Sequence, residues 1–116
     1  MVVKRIVIDI QTMEIEKAKP FYQDILGLEL LMDHGWIATY GNDTEMKVQI
    51  SFAHDGGSGT VVPDISIEVD DVATVYLQMM EAGFRIAYEL TEEPWGVRRF
   101  FVRDPFGKLV NILSHV

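Results

Sequence analysis

The chain contains no cysteine, which removes disulfides, thiolate metal sites and cysteine nucleophiles together. It also lacks long apolar runs. None approaches the roughly 18 residues that a membrane-crossing helix needs, so no membrane partner is expected. Basic residues are scarce, with 10 Lys and Arg against 18 Asp and Glu. The resulting formal charge of −8 repels phosphate backbones, and nucleic acid is not expected as a partner. The same acidity would steer cationic ligands inward, although solubility alone is reason enough for it. The N-terminal stretch MVVKRIVID offers no small-residue cleavage site and runs straight into an alternating pattern, so no signal peptide is expected. The cytoplasm is the expected compartment. Metal-binding histidine spacing is missing too. His34, His54 and His115 fall in expected loops or at the terminus, without H-x-x-x-H or H-E-x-x-H, and read as surface residues.

What is present is a repeat. The 116 residues suffice for one domain, and a content of 48% hydrophobic and 24% charged residues is ordinary for a globular chain. The loop HDGGSGTVVP, residues 54–63, divides the chain. Ile6-Val7-Ile8-Asp9-Ile10 before it matches Ile65-Ser66-Ile67-Glu68-Val69 after it, and both alternate with the period of a strand. Each run leads into a helical pattern. Ile15, Ala18, Tyr22 and Ile25 share one face and end at Gly27; Val72, Val75, Met79 and Ala82 share another and end at Gly83. Thr12 and Asp70 or Asp71 suit the N-caps, and Pro20 should kink or shorten the first helix. Three short strands follow in each half. The last two are joined by the turn signals GND and DPFG, and the final strands are MKVQISF and KLVNILS. The expected fold is α+β: two tandem βαβββ modules, about residues 3–53 and 64–116, related by a pseudo-two-fold axis within one domain spanning residues 1–116. In that repeat Gln49 and Asn111 occupy the same position, each a carboxamide between aliphatic neighbours.

With AKPFYQDILGLEL in the first half and VDDV, AGF and PWGVRRFFVRDPFGKLVNIL in the second, the chain resembles the vicinal oxygen chelate superfamily. That superfamily holds glyoxalases, extradiol dioxygenases, fosfomycin-modifying enzymes and bleomycin-type resistance proteins. The resemblance covers essentially the whole chain and rests on Phe21-Tyr22 with Leu26-Gly27 and on the DP-x-G turn. It implies a curved mixed sheet around a cleft. In the family's enzymes a divalent metal sits there, held by His or Glu on the first and last strand of each module. Carried onto this sequence, those positions are Arg5 or Val7, Gln49, Asp64 and Asn111. Neutral amides and a single carboxylate make a poor ligand set, and an arginine repels a cation. No metal or other cofactor is therefore expected, and no catalytic residue is assigned.

Alternation places Arg5, Val7 and Asp9, Asp64, Ser66 and Glu68, Lys47, Gln49 and Ser51, and Leu109, Asn111 and Leu113 on the cleft face. Two readings stay open there. Arg5 could pair with Asp64 and the amides with each other, plugging the cleft. Alternatively, these groups are directional partners for an organic ligand walled by Trp36, Tyr40, Trp95, Phe100 and Phe101. Phe100 and Phe101 suit the core equally well. Asp9 and Glu68 could face each other as an acid–base pair, but strand-end carboxylates are the plainer reading. The function expected from this set is a metal-free small-molecule binder, akin to resistance proteins that sequester a toxic compound, with Arg5, Asp9, Gln49, Asp64, Glu68, Asn111, Trp36, Trp95 and Phe101 in the cleft. The alternatives are a divergent metal-dependent lyase, isomerase or dioxygenase, and a structural member whose cleft is filled by its own side chains. The resemblance also implies a homodimer whose interface forms much of the groove.

Overall fold

In the computed structural model, residues 4–46 and 49–116 are described. The second module forms as expected. Strand β3 (Ile65–Glu68) leads into helix α1 (Val72–Glu81), followed by β4 (Ile86–Glu92), β5 (Val97–Arg103) and β6 (Leu109–His115). The sheet order is β3-β6-β5-β4, with β3 and β6 parallel and the other pairs antiparallel. Asp71 caps α1: its carboxylate accepts from the Thr74 amide at 3.2 Å and from the Thr74 hydroxyl at 2.7 Å. This bonding holds the Asp71 carboxyl below its ordinary range. Gly83 closes the helix at φ +81°, and Gly27 does the same for the first helical segment at φ +74°.

One sheet face is apolar because alternate residues of two central strands are. Phe100 and Val102 of β5 and Val110 and Ile112 of β6 form a buried cluster with Val72 and Met79 of α1. Phe21 of the first half completes it, meeting Phe84 edge-on with ring centroids 5.1 Å apart. Each such side chain, fully buried, contributes about 1.5–3 kcal/mol. Phe100 is thus core, meeting Tyr76 edge-on. A second tie joins the halves. The Tyr22 hydroxyl donates to the Asp104 carboxylate at 2.7 Å, and Asp104 also accepts from the Phe106 and Lys108 amides of the DPFG turn, each at 2.8 Å. Burial first, and this bond second, push the Tyr22 phenol above its usual range.

The first module departs from expectation. Its helical segment is a short 3-10 turn (Ile15–Lys17) followed by a seven-residue π-helix (Lys19–Ile25) carrying Pro20 in its first turn. Proline has no amide hydrogen to give to the preceding turn, so the ordinary ladder cannot run through it. Thr12 accepts from the Glu14 amide at 3.0 Å, but the 3-10 turn has no side-chain cap. Strands β1 (Glu29–Asp33) and β2 (Ala38–Gly41) pair antiparallel as a separate two-stranded sheet. The expected strand at residues 6–10 carries no ladder, nor do Met46 and residues 49–52 of the expected final strand; Lys47 and Val48 lie outside the described residues. Each of those strands needed the other as neighbour, and alternation alone does not supply one. No helix among the described residues is long and apolar enough to cross a membrane.

Candidate functional site

The face of the second sheet turned away from α1 carries the polar residues. From β3 come Ser66 and Glu68, and from the residue before it Asp64, all exposed. The Asp64 carboxylate accepts from the Leu109 amide at 2.8 Å, pinning the strand edge. Glu68 meets the His115 Nδ1 at 2.8 Å. From β6 comes Asn111, 8% exposed. It sits opposite Ser66, to whose hydroxyl its Nδ2 donates at 3.1 Å. Among the described residues nothing donates to its Oδ1, a fully buried acceptor. Buried polar atoms in folded proteins are paired with few exceptions, so this one requires an explanation.

From β5 the same face receives Arg99, Phe101 and Arg103. Arg99 and Glu93 are each 5% exposed and joined twice, Nε to Oε2 at 2.8 Å and Nη2 to Oε2 at 2.7 Å. The Arg99 guanidinium lies over the rings of Phe101, Trp95 and Tyr88, with centroids at 4.8, 5.0 and 5.4 Å. The linker is drawn onto this pair. Ser58 Oγ donates to Glu93 at 3.1 Å, and the Gly57 carbonyl accepts from Arg99 at 3.3 Å. Gly57 is required here. It sits at φ +81°, and a Cβ would lie 2.8 Å from the Trp95 ring. The linker thereby straps the sheet and borders a half-open cavity of about 460 Å³. Phe101 and Leu109 form its floor, Ile86 and Tyr88 one wall, and Ser58–Val61 its cover, with Arg85 and Arg103 alongside. Asn111 follows Leu109 by two residues and pairs across the ladder with Phe101, so its unused oxygen belongs to the same face.

The residues singled out from the sequence are thus divided. Asp64, Glu68, Asn111, Phe101 and Trp95 belong to the second module's polar face or its cover. Arg5, Asp9 and Gln49 are exposed and join no ladder. Arg5 forms no ion pair with Asp64, and Gln49 does not meet Asn111; the described ion pairs are Lys17–Glu14, Lys19–Asp24, Arg99–Glu93 and His115–Glu68. Trp36 is 78% exposed at the turn between β1 and β2. Tyr40 lines a second, shallower hollow of about 340 Å³ that also holds Glu16, Lys19 and Asp33. Sequence reasoning missed Glu93, Arg99, Tyr88, Arg85 and Arg103. Extending the strand alternation from Phe101 would have brought in Arg99 and Arg103.

The sequence profile of the glyoxalase/bleomycin resistance protein/dioxygenase superfamily matches residues 4–112. No curated protein matches the chain. Among solved structures, TnmS3, an antibiotic binding protein from Streptomyces sp. CB03234, is 23% identical, with a TM-score of 0.61 over 87% of this chain and 86% of that one. TioX from Micromonospora sp. ML1 is 21% identical, with a TM-score of 0.57 over 87% of each chain. A superfamily member from Sphaerobacter thermophilus is 24% identical, with a TM-score of 0.58 over 86% of this chain and 87% of that one. At such identities the likeness establishes the fold. The residues at the family's metal positions do not fit a metal. Asn111 is an amide bonded to Ser66, Gln49 is exposed without a strand, and the Asp64 carboxylate is engaged by a backbone amide. Among the described residues no three His, Asp or Glu side chains are grouped to hold an ion.

Proposed function

The chain belongs to the glyoxalase/bleomycin resistance protein/dioxygenase superfamily, and we propose that it acts there as a metal-free binder that sequesters a small organic compound without transforming it. The observation that carries this is the cavity that the linker borders over Phe101 and Leu109, with Tyr88, Arg85 and Arg103 beside it. A cavity of about 460 Å³ with an apolar floor is within the range of small-molecule sites. TnmS3 is an antibiotic binding protein, which makes sequestration a precedent within this fold. No nucleophile, base and orienting group converge on the cavity among the described residues.

The reading includes a homodimer. Ile6, Val7 and Ile8 are 43%, 50% and 60% exposed along a segment without strand partners, and Ile50 and Phe52 are exposed as well. A second copy would cover them and add walls to the groove.

The test uses protein purified without chelators. It is analysed for metals and then screened by equilibrium binding against small organic compounds, antibiotics included. The expected outcome is no stoichiometric metal and a one-to-one complex from which the compound is recovered unchanged. A tightly held metal, or turnover of the bound compound, would replace sequestration with enzymatic chemistry.

A further inference from the structure

The cavity under the linker has a charge opposite to that of the molecule around it. The chain carries a formal −8, yet no residue lining this cavity is acidic, and two are arginines, Arg85 and Arg103. They are held side by side by the sheet: the Arg103 amide donates to the Arg85 carbonyl at 2.9 Å. Like charges on neighbouring strands repel. Neither guanidinium is in an ion pair among the described residues, and the undescribed Met1, Val2, Val3, Lys47 and Val48 include no carboxylate. Arg103 gives one bond, Nη1 to the Gly107 carbonyl at 3.1 Å, and keeps its remaining donors. The acids of the adjoining strand edges are already engaged: Asp64 with the Leu109 amide, Asp104 with Tyr22 and its own turn. The cavity therefore combines an aromatic and aliphatic floor with two unpaired cations at one side.

We propose that the compound taken up here is an organic anion, with a flat apolar body against Phe101 and Leu109 and a carboxylate between Arg85 and Arg103. This inference rests on the reading of the protein as a small-molecule binder, and it reverses the preference for cations that net charge alone suggests. Guanidinium pairs bind carboxylates through charge-assisted hydrogen bonds, which are about twice as strong as neutral ones. The local field at a cavity wall outweighs a distant surface charge that salt screens over about 8 Å.

Three probes with one body and different heads separate the possibilities: 2-naphthoate, 2-naphthamide and 2-naphthylmethylammonium, titrated calorimetrically against the full chain. The anion should bind about tenfold more tightly than the amide, and the ammonium most weakly. Arg85→Gln with Arg103→Gln should erase the anion's advantage over the amide; circular dichroism checks that the variant is folded. Equal or tighter binding of amide or ammonium overturns the anion assignment but leaves the binding reading standing. If none of the three binds at concentrations on the order of a millimolar, both the assignment and this cavity as the binding site fail.

Discussion

At the scale of single residues, the polar groups that matter are those whose bonding is lopsided. Arg99 and Glu93 are saturated: two bonds join them, Ser58 and Gly57 bond from the linker, and three rings surround the guanidinium. Such a buried pair contributes little net energy, because both ions had to leave water. Its visible effect is to fix the linker over the sheet. Arg99→Met strands the Glu93 carboxylate and should cost about 3 kcal/mol in urea unfolding. Joining it with Glu93→Leu should recover most of that loss while leaving Trp95 more exposed to collisional quenchers. If the double variant is no more stable than Arg99→Met, the pair contributes net stability after all. Residue identity made part of this legible in advance: a carboxamide between aliphatics marked Asn111, and Asn111 is indeed buried on the polar face. The same logic applied to Gln49 misled, because Gln49 shares the sequence position but not a ladder. Arg99 escaped notice because a charged residue beside Arg98 reads as surface unless the strand's alternation is followed through it.

Elements were legible where a local signal decides them. Asp71 caps α1, glycines end both helical segments, and Ile65, Ile67 and Val69 pack toward the core as period two requires. They were not legible where a long-range bond intervenes. The π-helix at Lys19–Ile25 and the DPFG turn look independent in sequence, yet Tyr22 and Asp104 join them across 82 residues. This bond predicts a pH dependence. The folded-state phenol is held above its usual value of about 10. The unfolded chain therefore loses that proton first as pH rises, and stability present below pH 10 declines above it. Tyr22→Phe should remove this alkaline slope and lower neutral-pH stability by about 1.5–3 kcal/mol, since the lost bond goes to a charged acceptor. Urea midpoints of both proteins from pH 7 to 11 measure the two effects at once. Parallel curves would show that the phenol titrates alike in folded and unfolded chains.

Taken whole, the molecule is symmetric in sequence and asymmetric as a single chain. Both halves carry the same alternation, capping glycines and final strand pattern. Among the described residues only the second builds a four-stranded sheet, and it takes Phe21 from the first half into its core. The first half keeps a two-stranded sheet, and among the described residues the segment 4–10 joins no ladder, with Ile6, Val7 and Ile8 exposed. The radius of gyration, 14.6 Å, exceeds the about 13 Å of a compact chain this long. A strand pattern fixes which face is apolar but not which chain supplies the neighbouring strand, and an exposed apolar strand segment is a template for pairing with another copy. A homodimer is the outcome that uses both facts: residues 4–10 and 49–53 of one chain would find backbone and apolar partners on the other. Light scattering during size exclusion should give twice the chain mass at micromolar concentration. Ile6→Glu with Ile8→Glu should shift the mass to one chain, because a charge on the apolar face cannot be buried without a partner. α1 and the second sheet, with their own core, should keep their circular dichroism signal. Constant single-chain mass up to the highest soluble concentration, unchanged by the substitutions, would mean that the segment is covered by something other than a second copy.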